Sequence, residues 1–147
     1  MASNTQPQFT MDGVVGAARI TAANASSQGG GTIGTDIFKC CDADADGTFI
    51  EFVRCIPTAT APTNTTATVM RIFASSVQSG PTTSANTFLL AEAALPVSAA
   101  DNATTPVNPI DIPINFRLPN SWALLASNHA APAANTAWLA IAIGGNY

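Results

Sequence analysis

The residues best suited to chemistry in this chain are three aspartates between Asp42 and Gly47, where aspartate alternates with alanine. They match the first half of an EF-hand calcium loop, in which alternate carboxylates bind the ion and a glycine allows a sharp bend. The match ends there, because the twelfth position is Val53 rather than a bidentate glutamate. We favour a solvated hairpin turn, with a nonstandard calcium site at Asp42, Asp44 and Asp46 as the alternative. We expect no other cofactor.

Few other residues suit catalysis. The single histidine, His129, lies in an Asn/Ala/Pro segment without a neighbouring Cys, Asp or Glu, and the chain has no G-x-S-x-G motif. We therefore interpret His129 as an exposed loop residue and predict that the protein is not an enzyme. The three cysteines lack a CxxC spacing. We favour buried free thiols, and a bridge from Cys40 or Cys41 to Cys55 is the alternative.

Composition narrows the class of partner. The 147 residues suit one domain, charged residues make up only 10% of them, and the net charge is -4. The five basic residues are scattered, which argues against a nucleic-acid partner because phosphate binding needs clustered Lys and Arg. Residues 1–13 lack the regions of a signal peptide, and no stretch approaches the roughly 20 apolar residues of a membrane span. We expect synthesis in the cytoplasm and no membrane partner.

Short alternating apolar segments, separated by Thr, Asn, Pro and Gly turns, must position these residues. They predict eight strands, near 14–22, 33–41, 48–56, 67–75, 87–94, 114, 122–127 and 138–144. Residues 87–94 would also suit a helix, and we favour a strand. Three prolines within 106–118 predict an edge strand there. The fold class is all-β: a flexible arm at 1–13, then one β-sandwich at 14–147, a jelly-roll-like Greek key of about eight antiparallel strands.

The alternation also assigns faces. Between 48 and 56, Ile50, Phe52, Arg54 and Ile56 are predicted to share one face. In the last strand, a face of Trp138, Ala140 and Ala142 opposes a face of Leu139, Ile141 and Ile143. We predict that the small-residue face contacts a sister subunit with Trp138 as its anchor.

The aromatic residues near the carboxyl end have two interpretations. Gly144 and Gly145 free Tyr147 to pack on its own chain or on that sister subunit. Trp122, Trp138 and Tyr147 would be the stacking residues of a sugar-binding platform. We favour packing in the core or at an interface for the two tryptophans, because both begin strands of alternating apolar residues.

Four segments resemble a known class of proteins. These are 64–73 (NTTATVMRIF), 110–119 (IDIPINFRLP), 121–125 (SWALL) and 144–147 (GGNY). Together they are similar to tailed-phage and prophage virion proteins of the capsid decoration, or cement, type. The resemblance covers about 33–147 and rests on a pattern of strands and turns. It carries no active-site residue.

The resemblance implies a small β-sandwich, commonly trimeric, that binds the major capsid protein on the outside of an assembled capsid and stiffens the shell. The protein would then be made in the host cytoplasm and lie on the outer surface of the virion. The aspartate run and the long polar amino terminus depart from this class. The alternative is a receptor-binding or carbohydrate-binding module of a phage tail or head fibre.

Overall fold

Two four-stranded antiparallel sheets make up the body of the protein. The computed structural model describes residues 12–100 and 106–147, and it contains no helix in those ranges. The ten strands are β1 (Asp12–Ile20), β2 (Gly31–Thr32), β3 (Phe38–Asp42), β4 (Thr48–Ala59), β5 (Thr68–Ser75), β6 (Pro81–Thr82), β7 (Thr87–Leu95), β8 (Ile110–Leu118), β9 (Ala123–Asn128) and β10 (Thr136–Asn146).

The strand order confirms the predicted jelly roll. Sheet A has the order β1-β10-β4-β8 and sheet B the order β3-β9-β5-β7, while β2 and β6 form a small ribbon. The eight long strands form nested antiparallel pairs, since β1 pairs with β10, β3 with β9, β4 with β8 and β5 with β7. The chain is thus one long hairpin of strand pairs rolled into two packed sheets, which is a jelly roll.

The two sheets enclose one main core. Its largest fully buried side chains come from both sheets and include Ile20, Met70, Ile72, Leu118 and Trp138. β7 is a strand in spite of its good helix formers, because β5 provides a complete ladder partner from Thr68 to Ser75. The proline-containing β8 lies at the edge of sheet A, as its sequence predicted.

A bulge in β4 corrects the predicted faces. The ladders with β8 and β10 both shift register between Ile50 and Phe52, and Glu51 has no opposite residue in β10. Ile50 is therefore buried in the core, whereas Phe52 faces outward with Arg54. The prediction that Ile50 and Phe52 share a face was wrong, because one extra residue reverses the alternation beyond it.

A long connection covers the outer face of sheet B. This segment, residues 21–37, is called here the strap, and it includes β2. Asn24 donates its backbone N–H to the carbonyl of Asn128 at 2.7 Å. Beneath the strap lies a second buried cluster. That cluster consists of Ile37, Phe73, Ala123 and Leu125. The strap therefore covers the outer face of sheet B at β5 and β9, whereas Leu89 of β7, opposite Phe73, is 40% exposed.

The amino-terminal end of the described chain joins sheet A directly. β1 begins at Asp12, so Asp12 and Gly13 of the predicted arm pair with Asn146 and Gly145 of β10. Residues 1–11 of that arm lie outside the described residues. Gly16 brings β1 close to β3, since a Cβ at Gly16 would lie 2.7 Å from the Cβ of Cys41. The edges of the two sheets thus meet at a glycine.

Candidate interaction surface

The aspartate run forms the turn between β3 and β4. Asp42 is paired with Lys39, whose Nζ lies 2.7 Å from the carboxylate. The carbonyl of Asp44 accepts the N–H of Gly47, which has a φ of 90° that favours glycine. The N–H of Asp44 donates to the hydroxyl of Thr48 at 3.0 Å. These contacts hold the turn through its backbone and leave the Asp44 and Asp46 side chains exposed.

The three carboxylates of the aspartate run are not gathered around one point. Within residues 12–100 and 106–147, no group of three or more His, Cys, Asp or Glu side chains is placed to hold a metal ion. Asp42, Asp44 and Asp46 all lie in that part of the chain, and their arrangement is that of the favoured hairpin turn. Calcium binding at these three residues stays a prediction.

The carboxyl-terminal residue packs on its own chain. The guanidinium of Arg117 lies 4.5 Å from the centre of the Tyr147 ring and donates from Nη2 to the carbonyl of Asp46 at 2.7 Å. The hydroxyl of Thr48 donates to Oδ1 of Asn146 at 2.6 Å. Of the two partners considered for Tyr147, the structure shows the first, its own β3–β4 turn.

The predicted small-residue interface belongs to the core. Trp138, Ala140 and Ala142 have no exposed surface and pack in the main core. A side chain without exposed surface cannot contact a sister subunit, so the interface assignment for these three residues was wrong. Alternation defined the two faces of β10 but did not indicate which of them packs in the core.

The opposite face of β10 is apolar and turned outward. Leu139, Ile141 and Ile143 are partly exposed and belong to neither buried cluster. The register aligns them in rows across sheet A with further apolar residues of β1, β4 and β8. This outer face of sheet A consists of Val15, Ala17, Phe52, Ile56, Pro113, Leu139, Ile141 and Ile143. Val15 in this face is 75% exposed.

One ion pair crosses this face. Arg54 and Asp111 are opposite each other in the ladder and form a bidentate pair, with Nε to Oδ1 at 2.7 Å and Nη2 to Oδ2 at 2.8 Å. The hydrogen bond from Arg54 holds the pKa of the Asp111 carboxyl below its ordinary value. The same guanidinium lies 5.4 Å from the centre of the Phe52 ring. The pair is neutral as a unit, so it interrupts the apolar face little.

A buried arginine ties the strap to sheet B. Arg71 is 8% exposed and its Nε donates to Glu92 at 2.6 Å. Its Nη1 lies 3.4 Å from the carbonyls of Asn24 and Ala25 and 3.3 Å from Nδ1 of His129. His129 itself is exposed, as predicted. The His129 ring contacts Arg71, the residue that ties the strap to sheet B. Nothing in the spacing of Arg71 in the sequence pointed to this role.

The three cysteines are free thiols, which confirms the favoured interpretation. Cys40 and Cys55 are buried and Cys41 is partly exposed. Burial raises the pKa of Cys41 to about 11 and that of Cys55 to about 12, and it raises the pKa of Cys40 well above its ordinary value. The thiolate is the reactive form, so these groups are poor nucleophiles at neutral pH.

The aromatic residues do not assemble into one platform. Trp138 is in the core and Tyr147 lies against Arg117. Trp122 packs against the core and stacks on Phe88, with 5.9 Å between the ring centres. The three residues of the sugar-binding alternative therefore lie in three different environments.

The apolar outer face of sheet A is the surface that the sequence reasoning missed. A signal for it was present, since Leu139, Ile141 and Ile143 are larger and more apolar than a solvated strand face requires. The position of Phe52 was missed because the sequence analysis placed it on the face of Ile50, and the bulge at Glu51 separates the two residues.

Fold and surface together define the class of this protein as a jelly-roll β-sandwich with an apolar outer sheet face. Comparison with protein families, with curated proteins and with solved structures found no match. In the part of the chain that the structure describes, no helix is long and apolar enough to cross a membrane.

Proposed function

We propose that this chain is a structural virion protein that binds the outer surface of an assembled phage capsid and stabilises the shell. Its partner is the major capsid protein, and its place is the outside of the virion. The observation that carries the proposal is the apolar outer face of sheet A, a contiguous apolar surface of a kind that marks contact with protein. A surface of this kind belongs to a protein that works in an assembly.

Two further features support this function. The resemblance of the segments at 64–73, 110–119, 121–125 and 144–147 extends to decoration proteins. The jelly roll is also an architecture that viral capsid proteins use repeatedly, although the fold alone does not define a function.

The composition suits a crowded shell. Charged residues are 10% of the chain, and three of the cationic side chains are already paired, as Lys39 with Asp42, Arg54 with Asp111 and Arg71 with Glu92. Such a surface repels neighbouring protein weakly. A protein that clamps several capsid subunits gains effective concentration with each added contact, so modest interfaces give a nearly permanent attachment.

The direct test uses heads of the phage or prophage whose genome encodes this chain. DNA-filled heads made without this protein are mixed with the purified chain and sedimented. We expect saturable binding with a fixed number of copies per head, and density on the outer shell by cryo-electron microscopy. We also expect the decorated heads to release DNA at a higher temperature than bare heads.

A matched variant tests the attachment. Deletion of residues 2–11 leaves every described strand in the sequence and removes most of the predicted arm. We expect weaker binding to heads, because an arm that orders on the shell adds contacts that the sandwich lacks. A chain that binds tail fibres or glycans and never sediments with heads would contradict the capsid proposal and support the tail-module alternative.

A further inference from the structure

We propose that a depression at the β8 edge of sheet A binds an arginine side chain of the capsid protein, with its guanidinium against Phe52 and Glu51. The inference rests on the proposed function, because it names the chemistry of one contact within that interface. The depression lies on β4 and β8, has a volume of about 340 Å³ and is open to solvent. The residues that line it are Glu51, Phe52, Asp111, Pro113 and Asn115.

The depression lies where the ladder between β4 and β8 is interrupted. Phe52 is opposite Pro113, whereas the neighbouring Glu51 has no opposite residue in β8 or in β10. On β8 the interruption includes Asn115, whose φ of 48° is in the left-handed region that residues other than glycine rarely adopt. Bulges redirect side chains and are frequent next to functional sites. Both irregular residues, Glu51 and Asn115, line the depression.

The charge of the depression favours a cation. The carboxylate of Asp111 is neutralised by its bidentate pair with Arg54. Glu51 is exposed and forms no ion pair with any residue in 12–100 and 106–147. The lining residues and Arg54 together therefore carry one net negative charge, that of Glu51. Charges across a protein interface are arranged to complement each other, so the matching group of the partner is cationic.

The aromatic ring favours a guanidinium over an ammonium group. A planar guanidinium stacks on aromatic rings and binds a carboxylate through two donors, whereas an ammonium is a strongly hydrated point charge. The protein already contains this combination at the same place. The guanidinium of Arg54 lies 5.4 Å from the centre of the Phe52 ring while it forms its bidentate pair with Asp111. The amide oxygen of Asn115 provides one further acceptor.

The depression is continuous with the apolar face that carries the proposed capsid contact. A row of ladder partners runs from Val15 through Ile143 and Phe52 to Pro113, and its last two residues line the depression. A partner that covers this row excludes water from the depression, and charge interactions are stronger away from water. The apolar row would then provide contact area, while the arginine fixes the orientation of the partner.

The first experiment needs no capsid. The purified full chain, labelled with ¹⁵N, is titrated with N-acetylarginine amide and with N-acetylcitrulline amide, in which a neutral urea group replaces the guanidinium. We expect the arginine compound to shift the backbone amide signals of Glu51, Phe52 and Asn115 saturably, and the citrulline compound to leave them in place. Glu51→Gln should abolish these shifts.

Asp44→Asn is the matched control, because it removes the same charge from an exposed side chain in the turn between β3 and β4. It should leave the shifts as in the wild type. Equal shifts with the citrulline compound, shifts that persist in Glu51→Gln, or no saturable shift at Glu51, Phe52 and Asn115 would overturn the inference.

The second experiment uses the sedimentation assay with heads. Glu51→Gln should weaken binding at least about fivefold, and Glu51→Arg should weaken it further, because a like charge then faces the arginine of the partner. Asp44→Asn should bind as the wild type does, and unchanged circular dichroism would show that the variants are folded.

The two experiments separate the two proposals. If the wild type binds heads and Glu51→Arg binds them equally well, the arginine contact is overturned and capsid binding stands. If the wild type never sediments with heads, capsid binding fails, and with it the assignment of the arginine to the capsid protein. The titration then still shows whether the depression binds a guanidinium.

Discussion

Arg117 and Tyr147 join the last residue of the chain to the turn between β3 and β4. The guanidinium lies 4.5 Å from the centre of the tyrosine ring, and its Nη2 donates to the carbonyl of Asp46. The turn that looked like a calcium loop is thus held by an arginine from β8 and by the end of β10. The cation beside the aspartate run is therefore the guanidinium of Arg117.

This contact predicts a measurable coupling energy. Arg117→Met should lower the free energy of unfolding by about 1 kcal/mol, because an exposed cation–π contact and one hydrogen bond are lost. Tyr147→Leu and the double variant complete a mutant cycle followed by urea denaturation. A coupling of about 0.5 kcal/mol or more is expected. Additive effects of the two substitutions would show that the ring and the guanidinium do not interact in solution.

The close approach of β1 to β3 predicts a strong effect at Gly16. A Cβ there would overlap the carbonyl of Cys40 and lie 2.7 Å from the Cβ of Cys41. Gly16→Val should therefore destabilise the protein by at least about 2 kcal/mol in thermal or urea unfolding. Gly13→Ala is the control in the same strand, because a Cβ there meets nothing within 4 Å. Its effect should stay within about 0.5 kcal/mol. Equal effects at the two glycines would contradict this packing.

The buried arginine predicts that the strap depends on one side chain. Arg71→Met removes the pair with Glu92 and leaves the carbonyls of Asn24 and Ala25 without that donor. We expect a loss of about 2 kcal/mol, less than for a fully buried pair because the Glu92 side chain is 43% exposed. Hydrogen exchange should accelerate in residues 21–37.

Lys39→Met serves as the control for Arg71, since it removes the pair of Lys39 with Asp42, which is exposed on both sides. Pairs of that kind contribute at most about 0.5 to 1 kcal/mol. Similar losses of unfolding free energy in the two variants would show that the burial of Arg71 adds nothing to the stability of the protein.

The thiols predict a loss of stability at alkaline pH. Their pKa values are raised on folding, to about 11 for Cys41 and about 12 for Cys55. The stabilisation that the protonated thiols contribute to the folded state is therefore complete below their ordinary pKa of 9.0. It is lost as the pH rises towards the pKa values of the folded protein. Unfolding free energies measured from pH 8 to 11 should fall, and less steeply in Cys55→Ala.

Chemical modification provides a second test of the burial of the three thiols. At pH 8 a thiol reagent should modify the native protein slowly, and three equivalents should react once urea unfolds it. Fast labelling of the native Cys55 would show that its side chain is accessible. Cys41 is the matched comparison, because it is the least buried of the three cysteines.

Much of the architecture could be predicted from local patterns. Six predicted strands largely overlap observed long strands and the strand predicted near 114 lies within β8, because period-two alternation and turn residues depend on the chain alone. The exception is β3, which begins at Phe38 rather than near residue 33. The preceding residues instead form a tight turn, in which the N–H groups of Thr35, Asp36 and Ile37 donate to the carbonyl of Thr32.

Local patterns could not predict which face of each strand points into the core. Alternation between Trp138 and Ile143 defines two faces but gives no indication of which one a second sheet will cover. The face of Leu139, Ile141 and Ile143 proved to be outside, whereas Trp138, Ala140 and Ala142 belong to the core. At Glu51 a single unpaired residue reversed the faces of β4, and no local signal in the sequence marks such a bulge.

The sequence by itself therefore determined that this protein is an all-β sandwich of eight long strands with free thiols and an exposed histidine. These properties follow from composition, period and turn chemistry, which act over a few residues. The tertiary structure alone decided that Arg117 and Tyr147 contact the turn between β3 and β4, that Arg71 anchors the strap and that the apolar face of sheet A looks outward. Those properties depend on contacts between residues far apart in the chain, which packing of the two sheets brings together.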